Sequence, residues 1–428
     1  MDAPALSAAA PATAAPALPR GPVAYVNQFF PLLTETFVYR EVLALQRLGV
    51  EVVPFALRRP PPGRLSEESR HLAAGCRYGI PFDWPWLVAG HAGFLARRPL
   101  RYLGTLAFVL TRRGESLRNR ALTAVHFLLA VAMARDMRRR GVVHVHAHFA
   151  INAATIALVA SRLLDIPFSF TAHNLLFTQP LLLREKIRAA RFVAAISDYT
   201  RRYVVSLLPD EEVSARVHVV RCGLETGSFE PARRSPDGGA PLVLFVAQLA
   251  ERKGVAFLVE ACRLLHERGL SFRCRILGDG PQREAALARI RAHGLEQRVE
   301  LGGPVFQEHL REHLAAADVF ALPCVVAADG DVDGIPVALM EAMAMEVAVV
   351  STTVSGIPEL VADGVDGLLV APRDARALAA ALERLLLDPD LRARLGAAGR
   401  RKVRERFDVD RSAAQLAALF AHGAGGAR

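Results

Sequence analysis

Short apolar runs alternate with amphipathic segments along most of this chain, and this order limits the possible folds more than any other feature. The run VAYVNQF (23–29) predicts a buried strand, and residues 35–49 have the spacing of an amphipathic helix that ends at Gly49. The same order continues through VEVVPFAL, VVHVHAHF, INAATIALVASRLLD, PFSFTAH, RFVAAIS and DYTRRYVVSLL. Strands that alternate with helices predict a parallel sheet covered by helices on both faces.

A second set of such segments follows the Pro- and Gly-rich stretch RRSPDGGAP. There LVLFVAQL, VAFLVEACRLLHERG and FRCRILGDG predict a strand, a helix, and a further strand with its turn. The 428 residues also exceed what one hydrophobic core usually organises. We therefore expect an α/β protein with two doubly wound parallel-sheet domains, and a ligand in the cleft between the carboxyl ends of their strands.

The domain boundaries follow from this division. The N-terminal segment MDAPALSAAAPATAAPALPR lacks the basic start and the continuous apolar stretch of a signal peptide, so we interpret it as a disordered tail. We expect a tail over 1–20, an N-terminal domain over 21–232, a linker over 233–241, a C-terminal domain over 242–405, and a final helix and tail over 406–428.

Cysteine usage and hydropathy favour a soluble or peripheral protein of the reducing cytoplasm. The five cysteines lie far apart without a CxxC pair, which argues against a disulfide framework and against a structural zinc site. No window holds the roughly 18 uninterrupted apolar residues of a membrane-spanning helix. The nearest candidate, residues 121–134, is too short and contains His126.

Positive charge is concentrated in residues 91–140, which contain eleven arginines and two acidic residues. Aromatic residues accompany this segment, and together they predict attachment to an anionic membrane surface. The alternative is an ordinary solvated face. No nucleic-acid-binding motif accompanies the charge, so we expect no nucleic acid partner. The aromatic residues are Trp84, Trp86, Phe94, Tyr102 and Phe108.

The stretch DVDGIPVALMEAMAM (331–345) places two carboxylates, Asp333 and Glu341, around the start of an apolar helix. The amides that follow Asp333 would lie at the helix N-terminus, which favours an anion such as a phosphate. Glu341 lies about two turns further, roughly 12 Å away at 1.5 Å per residue, which suits two ends of one extended ligand. The alternative is a helix capped by Asp333 with an ordinary exposed Glu341.

Three other turns are candidates for the cleft. ERKG (251–254) follows a strand and opens a helix, which places Arg252 and Lys253 where a diphosphate could be neutralised. LGDGP (277–281) is a glycine-rich strand-to-helix turn. The turn after the first strand contains Thr34, Glu35 and Thr36.

As a set, these pieces resemble family 4 of the retaining glycosyltransferases, and within it the enzymes of bacterial exopolysaccharide and colanic-acid-like assembly. That family has the GT-B fold, two facing Rossmann-like domains. The resemblance spans residues 29–370 in one consistent order, and the segments that carry it are FFPLLTETFVYREV, HVHAHFAINAATIALVASRL, PFSFTAHN, FVAAISDYTRRYV, RCGLE, VAQLAERKG, LGDGP, DGIPVALMEAMAM, GIPEL and DGLLV.

The resemblance implies roles for individual residues. Asp333 and Glu341 correspond to the family's paired glutamates, so Asp333 would lie beside the donor sugar and Glu341 would bind the ribose hydroxyls. Lys253 would neutralise the diphosphate leaving group, and His173 would lie near the donor sugar and the acceptor. Arg252 and Gln248 would lie at the diphosphate, and the sugar and distal phosphate would contact the turn of Gly334, Ile335, Pro336 and Val337. The residues near the base would be Gly278, Asp279, Gly280 and Val305. Those on the acceptor side would be Thr34, Glu35, Thr36 and His148.

Two positions depart from the family's pattern. The family usually has Arg at the position of Gln248, so one of two phosphate cations is missing, and Arg252 is the candidate to compensate. The first acid is Asp333 where Glu is usual, and its side chain is one methylene shorter.

The implied reaction is transfer of a hexose from a UDP- or GDP-linked sugar to an acceptor hydroxyl, with retention at the anomeric carbon. The expected partners are the nucleotide sugar and a lipid-linked or glycan acceptor, and no cofactor or metal is expected because the protein supplies the positive groups itself. The final helix would cross back onto the N-terminal domain. The expected location is the cytoplasm, at the inner face of the cell membrane.

Two alternatives belong to other classes. His144, His146 and His148 alternate along one predicted strand and point to one face, which could nucleate the metal site of a hydrolase. A glycosyltransferase-like binding protein that has lost chemistry through Gln248 and Asp333 is the second alternative.

Overall fold

Two parallel sheets form the framework of the computed structural model, which describes residues 18–32, 35–61, 69–111, 116–173, 181–231, 239–305 and 307–421. The first sheet has seven strands in the order β3-β2-β1-β4-β5-β6-β7. The strands are β1 (Val23–Phe29), β2 (Val52–Arg58), β3 (Arg77–Ile80), β4 (His144–His148), β5 (Phe168–Ala172), β6 (Phe192–Ala195) and β7 (Val217–Val219).

The second sheet has six strands in the order β10-β9-β8-β11-β12-β13. Every strand pairing in both sheets is parallel. In each sheet the order of the strands along the chain reverses at one switch point. It lies between β1 and β4 in the first sheet and between β8 and β11 in the second, and α/β proteins bind ligands at such points. The strands are β8 (Leu242–Val246), β9 (Arg273–Leu277), β10 (Val299–Leu301), β11 (Val319–Leu322), β12 (Ala348–Thr352) and β13 (Leu368–Val370).

Helices connect these strands, and the elements predicted from the apolar runs are confirmed to within a few residues. The helices of the first half are α1 (Thr36–Arg47), α2 (Arg70–Gly75), α3 (Trp84–Arg97), α4 (Pro99–Leu110), α5 (Leu117–Arg139), α6 (Asn152–Leu164), α7 (Leu183–Ala189), α8 (Asp198–Leu207) and α9 (Glu211–Arg216). Those of the second half are α10 (Val255–Glu267), α11 (Arg283–Ala292), α12 (Gln307–Ala316), α13 (Val337–Ala344), α14 (Ile357–Leu360), α15 (Ala375–Leu387), α16 (Pro389–Arg406) and α17 (Val409–Ala421).

The last helix packs on the first sheet's side of the molecule. Leu416 and Phe420 of α17 are buried in one hydrophobic cluster with Tyr39 and Val42 of α1. An ion pair at the surface, Arg47 to Asp410, joins the same two helices. Most of the predicted linker and most of the predicted N-terminal tail lie outside the described residues.

Helices α3, α4 and α5 pack against one another and against the first sheet, and they change the interpretation of the basic segment. Trp86 and Phe94 are buried in the core, and Tyr102 and Phe108 are partly buried against it. Four of the five aromatic residues that accompany the basic segment therefore pack into or against the hydrophobic core, and attachment of this segment to a membrane stays a prediction. Trp84 remains 65% exposed. None of the described helices is both long and apolar enough to cross a membrane.

Candidate functional site

A cluster of opposite charges lies at the switch point of the second sheet. Lys253 Nζ is 2.9 Å from Asp333 Oδ2, and Arg252 Nε is 3.4 Å from Asp333 Oδ1. Arg252 also donates to Asp331 (2.9 Å) and to Gln248 Oε1 (3.3 Å). The structure thus brings together four residues that the sequence analysis placed at the donor, and it places the Arg252 guanidinium beside the Gln248 side chain.

The backbone of two loops fixes this cluster. The turn after β8 passes so close to the loop after β11 that a Cβ on Gly254 would lie 1.8 Å from the Pro323 carbonyl oxygen, and Gly254 has φ +71°. Val325 N donates to Arg252 O, which ties the same two loops together. A larger residue at 254 would therefore push Lys253 away from Asp333.

The glycine turn after β9 packs against the loop after β8. A Cβ on Gly278 would lie 1.9 Å from Ala247 O, and Leu249 N donates to Asp279 O. Gly280 makes a similar close approach to Leu249. Val305 lies beyond β10 and packs, half-buried, against the core of this domain. These contacts account for the glycines structurally, and a role in base binding stays a prediction.

The segment before α13 lies at the boundary between the two sheets. Asp333, Gly334, Ile335 and Pro336 are buried, and α13 begins at Val337 with Pro336 as its N-cap residue. A Cβ on Gly334 would lie 2.4 Å from Ile196 Cδ1, so this turn touches the end of β6 in the first domain.

Glu341 faces the other domain rather than solvent. Its Oε1 is 3.3 Å from Nη1 of Arg40 on α1, and both side chains are 5% exposed. The alternative of an ordinary exposed Glu341 is therefore wrong, because α13 is enclosed between the two domains. Arg40 was absent from the sequence-based candidates, and the charged pair Arg40–Glu41 between Tyr39 and Val42 of α1 was the available signal.

A second contact across the boundary uses the GIPEL segment. Glu359 of α14 accepts hydrogen bonds from the backbone N–H groups of Asp198 and Tyr199, at 2.9 Å each. These groups begin α8, where a helix N-terminus favours a carboxylate. Arg221 adds an ion pair to Glu359 at 3.1 Å.

His173 and His148 lie at the carboxyl ends of neighbouring strands in the first sheet. His148 Nδ1 is 3.2 Å from His173 Nε2, and both residues are almost fully buried. His148 Nε2 is 3.1 Å from Glu41 Oε1 of α1. Burial and the neighbouring His148 ring hold the pKa of His173 well below its usual range. The structure thus places these two histidines side by side, and it adds Glu41, which the sequence analysis missed.

The turn after β1 is described only in part. Thr36 is the first residue of α1 and is buried, while Glu35 before it is partly buried. Burial raises the pKa of Glu35 to about 7. Thr34 lies outside the described residues.

The histidine strand was also the candidate metal site. Ligand atoms of Glu41, His146 and His148 lie within 4.8 Å of one another. Each ring nitrogen of these two histidines already has a protein partner, since His146 contacts Ser169 (2.7 Å) and Thr171 (3.0 Å). A metal would have to displace these hydrogen bonds in a largely buried site, so we favour a hydrogen-bonded network.

Comparison with known proteins gives the same class. A model described as Glycosyl transferases group 1 matches residues 240–388, and one described as Glycosyltransferase Family 4 matches residues 94–228. A crystal structure of a glycosyltransferase from Rickettsia africae superposes with a TM-score of 0.69 at 14% identity, covering 95% of this chain and 100% of that one. Anabaena HepE in complex with UDP and glucose superposes with a TM-score of 0.68 at 17% identity, covering 93% of this chain and 98% of that one.

Curated relatives are similar over nearly the whole length. A protein of Escherichia coli K12 that is named as a glycosyltransferase of colanic acid biosynthesis is 34% identical, and the match covers 91% of this chain and 97% of that protein. The amylovoran biosynthesis glycosyltransferase of Erwinia amylovora is 33% identical over the same shares. Two facing Rossmann-like domains with this motif set define a glycosyltransferase of the GT-B fold. The chain belongs to glycosyltransferase family 4 and is a transferase.

Proposed function

We propose that this enzyme transfers a hexose from a UDP- or GDP-linked donor to a lipid-linked saccharide, with retention of anomeric configuration, during exopolysaccharide synthesis. The observation that carries the proposal is the pairing of Lys253 and Arg252 with Asp333 at the switch point of the second sheet. The names of the relatives, which refer to colanic acid and amylovoran, support the exopolysaccharide assignment. They support no particular sugar or linkage.

Lys253 and Arg252 would bind the donor diphosphate. Departure of the nucleoside diphosphate builds negative charge, and fixed cations in a partly dry site stabilise that charge. Because Arg252 lies beside Gln248, its guanidinium is in place to supply the cation that the family's usual arginine would provide. Asp333 holds both cations in position and would lie next to the sugar.

Glu341 would bind the ribose hydroxyls, but in this structure its carboxylate is paired with Arg40. A nucleotide at this position has to separate Arg40 from Glu341, and these two residues belong to different domains. We therefore propose that the donor enters while the domains are apart, and that closure brings His173 toward the bound sugar. Small-angle scattering with and without nucleotide tests this step, and unchanged dimensions would reject it.

The exposed apolar side chains of the first domain favour contact of the acceptor side with a membrane surface. Of the sixteen large apolar side chains that are exposed among the described residues, eleven lie between residues 82 and 128. On α3 they follow one stripe at Trp84, Val88 and Leu95, and on α4 Leu100 is 86% exposed. His91 joins the three helices, since it contacts Tyr102 OH of α4 and the Leu128 carbonyl of α5.

Exposed apolar residues next to arginines suit the headgroup region of an anionic bilayer. We propose that α3, α4 and α5 hold the enzyme at the inner face of the cell membrane, near lipid-linked acceptors. The test is co-sedimentation with vesicles of phosphatidylglycerol and phosphatidylcholine. Leu100→Ser with Trp84→Ser should weaken binding, whereas Leu387→Ser, which changes a leucine 66% exposed in the other domain, should not. Equal binding by both variants would contradict the assignment.

The transfer itself is tested by incubating purified protein with labelled UDP- or GDP-sugars and a membrane extract, followed by separation of lipid-linked products. Proton NMR of the new anomeric centre then distinguishes retention from inversion. Donor binding without transfer to any acceptor would favour the alternative of a binding protein that has lost its chemistry.

A further inference from the structure

Four buried polar side chains form a continuous chain behind the candidate sugar site. Tyr25 OH donates to Glu41 Oε1 (2.8 Å), His148 Nε2 lies 3.1 Å from the same oxygen, and His148 Nδ1 lies 3.2 Å from His173 Nε2. All four residues are buried, and Tyr25 is fully enclosed. The chain therefore runs from the interior of the first domain to its cleft-side histidine.

The direction of each hydrogen bond follows from what each group can donate. A carboxylate only accepts, so Tyr25 O–H and His148 Nε2–H both donate to Glu41. A neutral His148 protonated at Nε2 has its lone pair on Nδ1, and it must accept from His173 Nε2–H. His173 then carries its own lone pair on Nδ1. Burial disfavours the protonated form of His173.

We propose that Glu41 is a positioning residue that fixes the tautomer of His173 through His148. The consequence is that His173 presents a hydrogen-bond acceptor at Nδ1, which suits a sugar or acceptor hydroxyl as its donor. The tautomer assignment follows from these distances for neutral histidine rings. Its effect on turnover rests on the proposed function, in which His173 faces the donor sugar.

The packing around His173 supports the proposal that Glu41 acts on His173 through His148. The rings of Phe37 and Phe149 lie 4.9 Å and 4.5 Å from the His173 ring, between centroids, and restrict its rotation. The neighbouring His146 is held separately by Ser169 and Thr171, so it does not compete for Glu41. A change at Glu41 therefore reaches His173 by way of the His148 ring.

The tautomer is measured by long-range proton–nitrogen NMR on the full chain labelled with 15N-histidine. The sequence has 13 histidines, so the His173 signals are assigned from their loss in His173→Asn. The expected result is a neutral ring protonated at Nε2. A wild-type His173 protonated at Nδ1, or at both nitrogens, would overturn the proposal, and so would a metal-bound spectrum that EDTA abolishes.

Variants test the role of the carboxylate. Glu41→Leu removes the acceptor, and we expect mixed tautomers at His173. We also expect a fall in kcat of about 10- to 100-fold, the range seen when the hydrogen-bond partner of a metal-ligating histidine is removed. Donor KM should change little, because Lys253 and Glu341 belong to the other domain. Glu41→Gln keeps an acceptor oxygen and should restore the Nε2–H tautomer and most of kcat.

His144→Gln is the matched control, since His144 is buried on the same strand but contacts Ser169 instead of this chain. It should leave the His173 tautomer unchanged. An unchanged tautomer in Glu41→Leu as well would refute the role of Glu41. Should Glu41→Leu fail to fold, the wild-type and Glu41→Gln spectra decide the question. Failure to bind any nucleotide sugar would sink the proposed function while leaving the tautomer result intact.

Discussion

Replacing Lys253 with methionine separates the chemistry of the candidate site from its stability. The Lys253–Asp333 pair has side chains 13% and 12% exposed, so breaking it leaves a carboxylate in a partly dry environment. Loss of a fully buried partner would cost about 3–5 kcal/mol. Arg252 Nε, 3.4 Å from the same carboxylate, remains as a second cation. We therefore expect a smaller loss, about 1.5–3 kcal/mol, similar to one hydrogen bond to a charged group.

The effect on transfer should be larger. If Lys253 stabilises the leaving diphosphate, its removal should lower kcat/KM by about 100- to 1,000-fold, the range for loss of one group that stabilises transition-state charge. Lys253→Arg keeps the charge and should recover part of this loss. The assay is transfer of labelled sugar at 25 °C, with thermal unfolding measured on the same preparations.

Lys402→Met provides the matched control. Lys402 Nζ is 3.0 Å from Asp366 Oδ2, with side chains 15% and 6% exposed, so it is a lysine–aspartate pair of similar burial in the same domain. We expect a comparable loss of stability without the loss of transfer. If Lys253→Met retains kcat/KM within about threefold of Lys402→Met, the assignment of Lys253 to the leaving group is refuted.

Two further predictions concern the domain boundary and the first turn. Arg40→Met leaves Glu341 enclosed without this cation and should lower the free energy of unfolding by denaturant by about 3–5 kcal/mol. Arg47→Met, which breaks exposed ion pairs, should lower it by about 1 kcal/mol or less. Equal losses would contradict the burial argument. Burial raises the pKa of Glu35 to about 7, so the folded protein binds more protons than the unfolded chain between pH 4.5 and 7. Stability should therefore fall as pH rises through that window and level off above it. Glu35→Gln should flatten this dependence, and a variant with the wild-type slope would show that Glu35 does not cause it.

The sequence was sufficient for the fold because strands buried on both faces read as continuous apolar runs, separated by helix-length segments. It also placed Lys253 at a strand-to-helix turn and Asp333 before an apolar helix, and the family resemblance put both at the donor. The structure brings them within 2.9 Å of each other. It gave less information between residues 81 and 140. There the charge pattern predicted a basic surface, but it could not show that Trp86 and Phe94 turn inward.

Arg40 and Glu41 were missed because their partners are remote in sequence. Arg40 pairs with Glu341, 301 residues away, and Glu41 contacts His148, 107 residues away. Neither pairing follows from local periodicity. Two adjacent charged residues between the buried Tyr39 and Val42 were the available sign, since long charged side chains are rarely enclosed without a partner.

The most direct test of the account is thermal stabilisation of the purified protein by UDP-, GDP- and ADP-sugars, with and without EDTA. A ligand at 100 times its Kd should add about 2.7 kcal/mol to the unfolding free energy. We expect selective stabilisation by a UDP- or GDP-sugar that persists in EDTA and is lost in Glu341→Ala. No response to any nucleotide sugar, together with a loss of stability in EDTA, would contradict it and favour a metal site on the histidine strand.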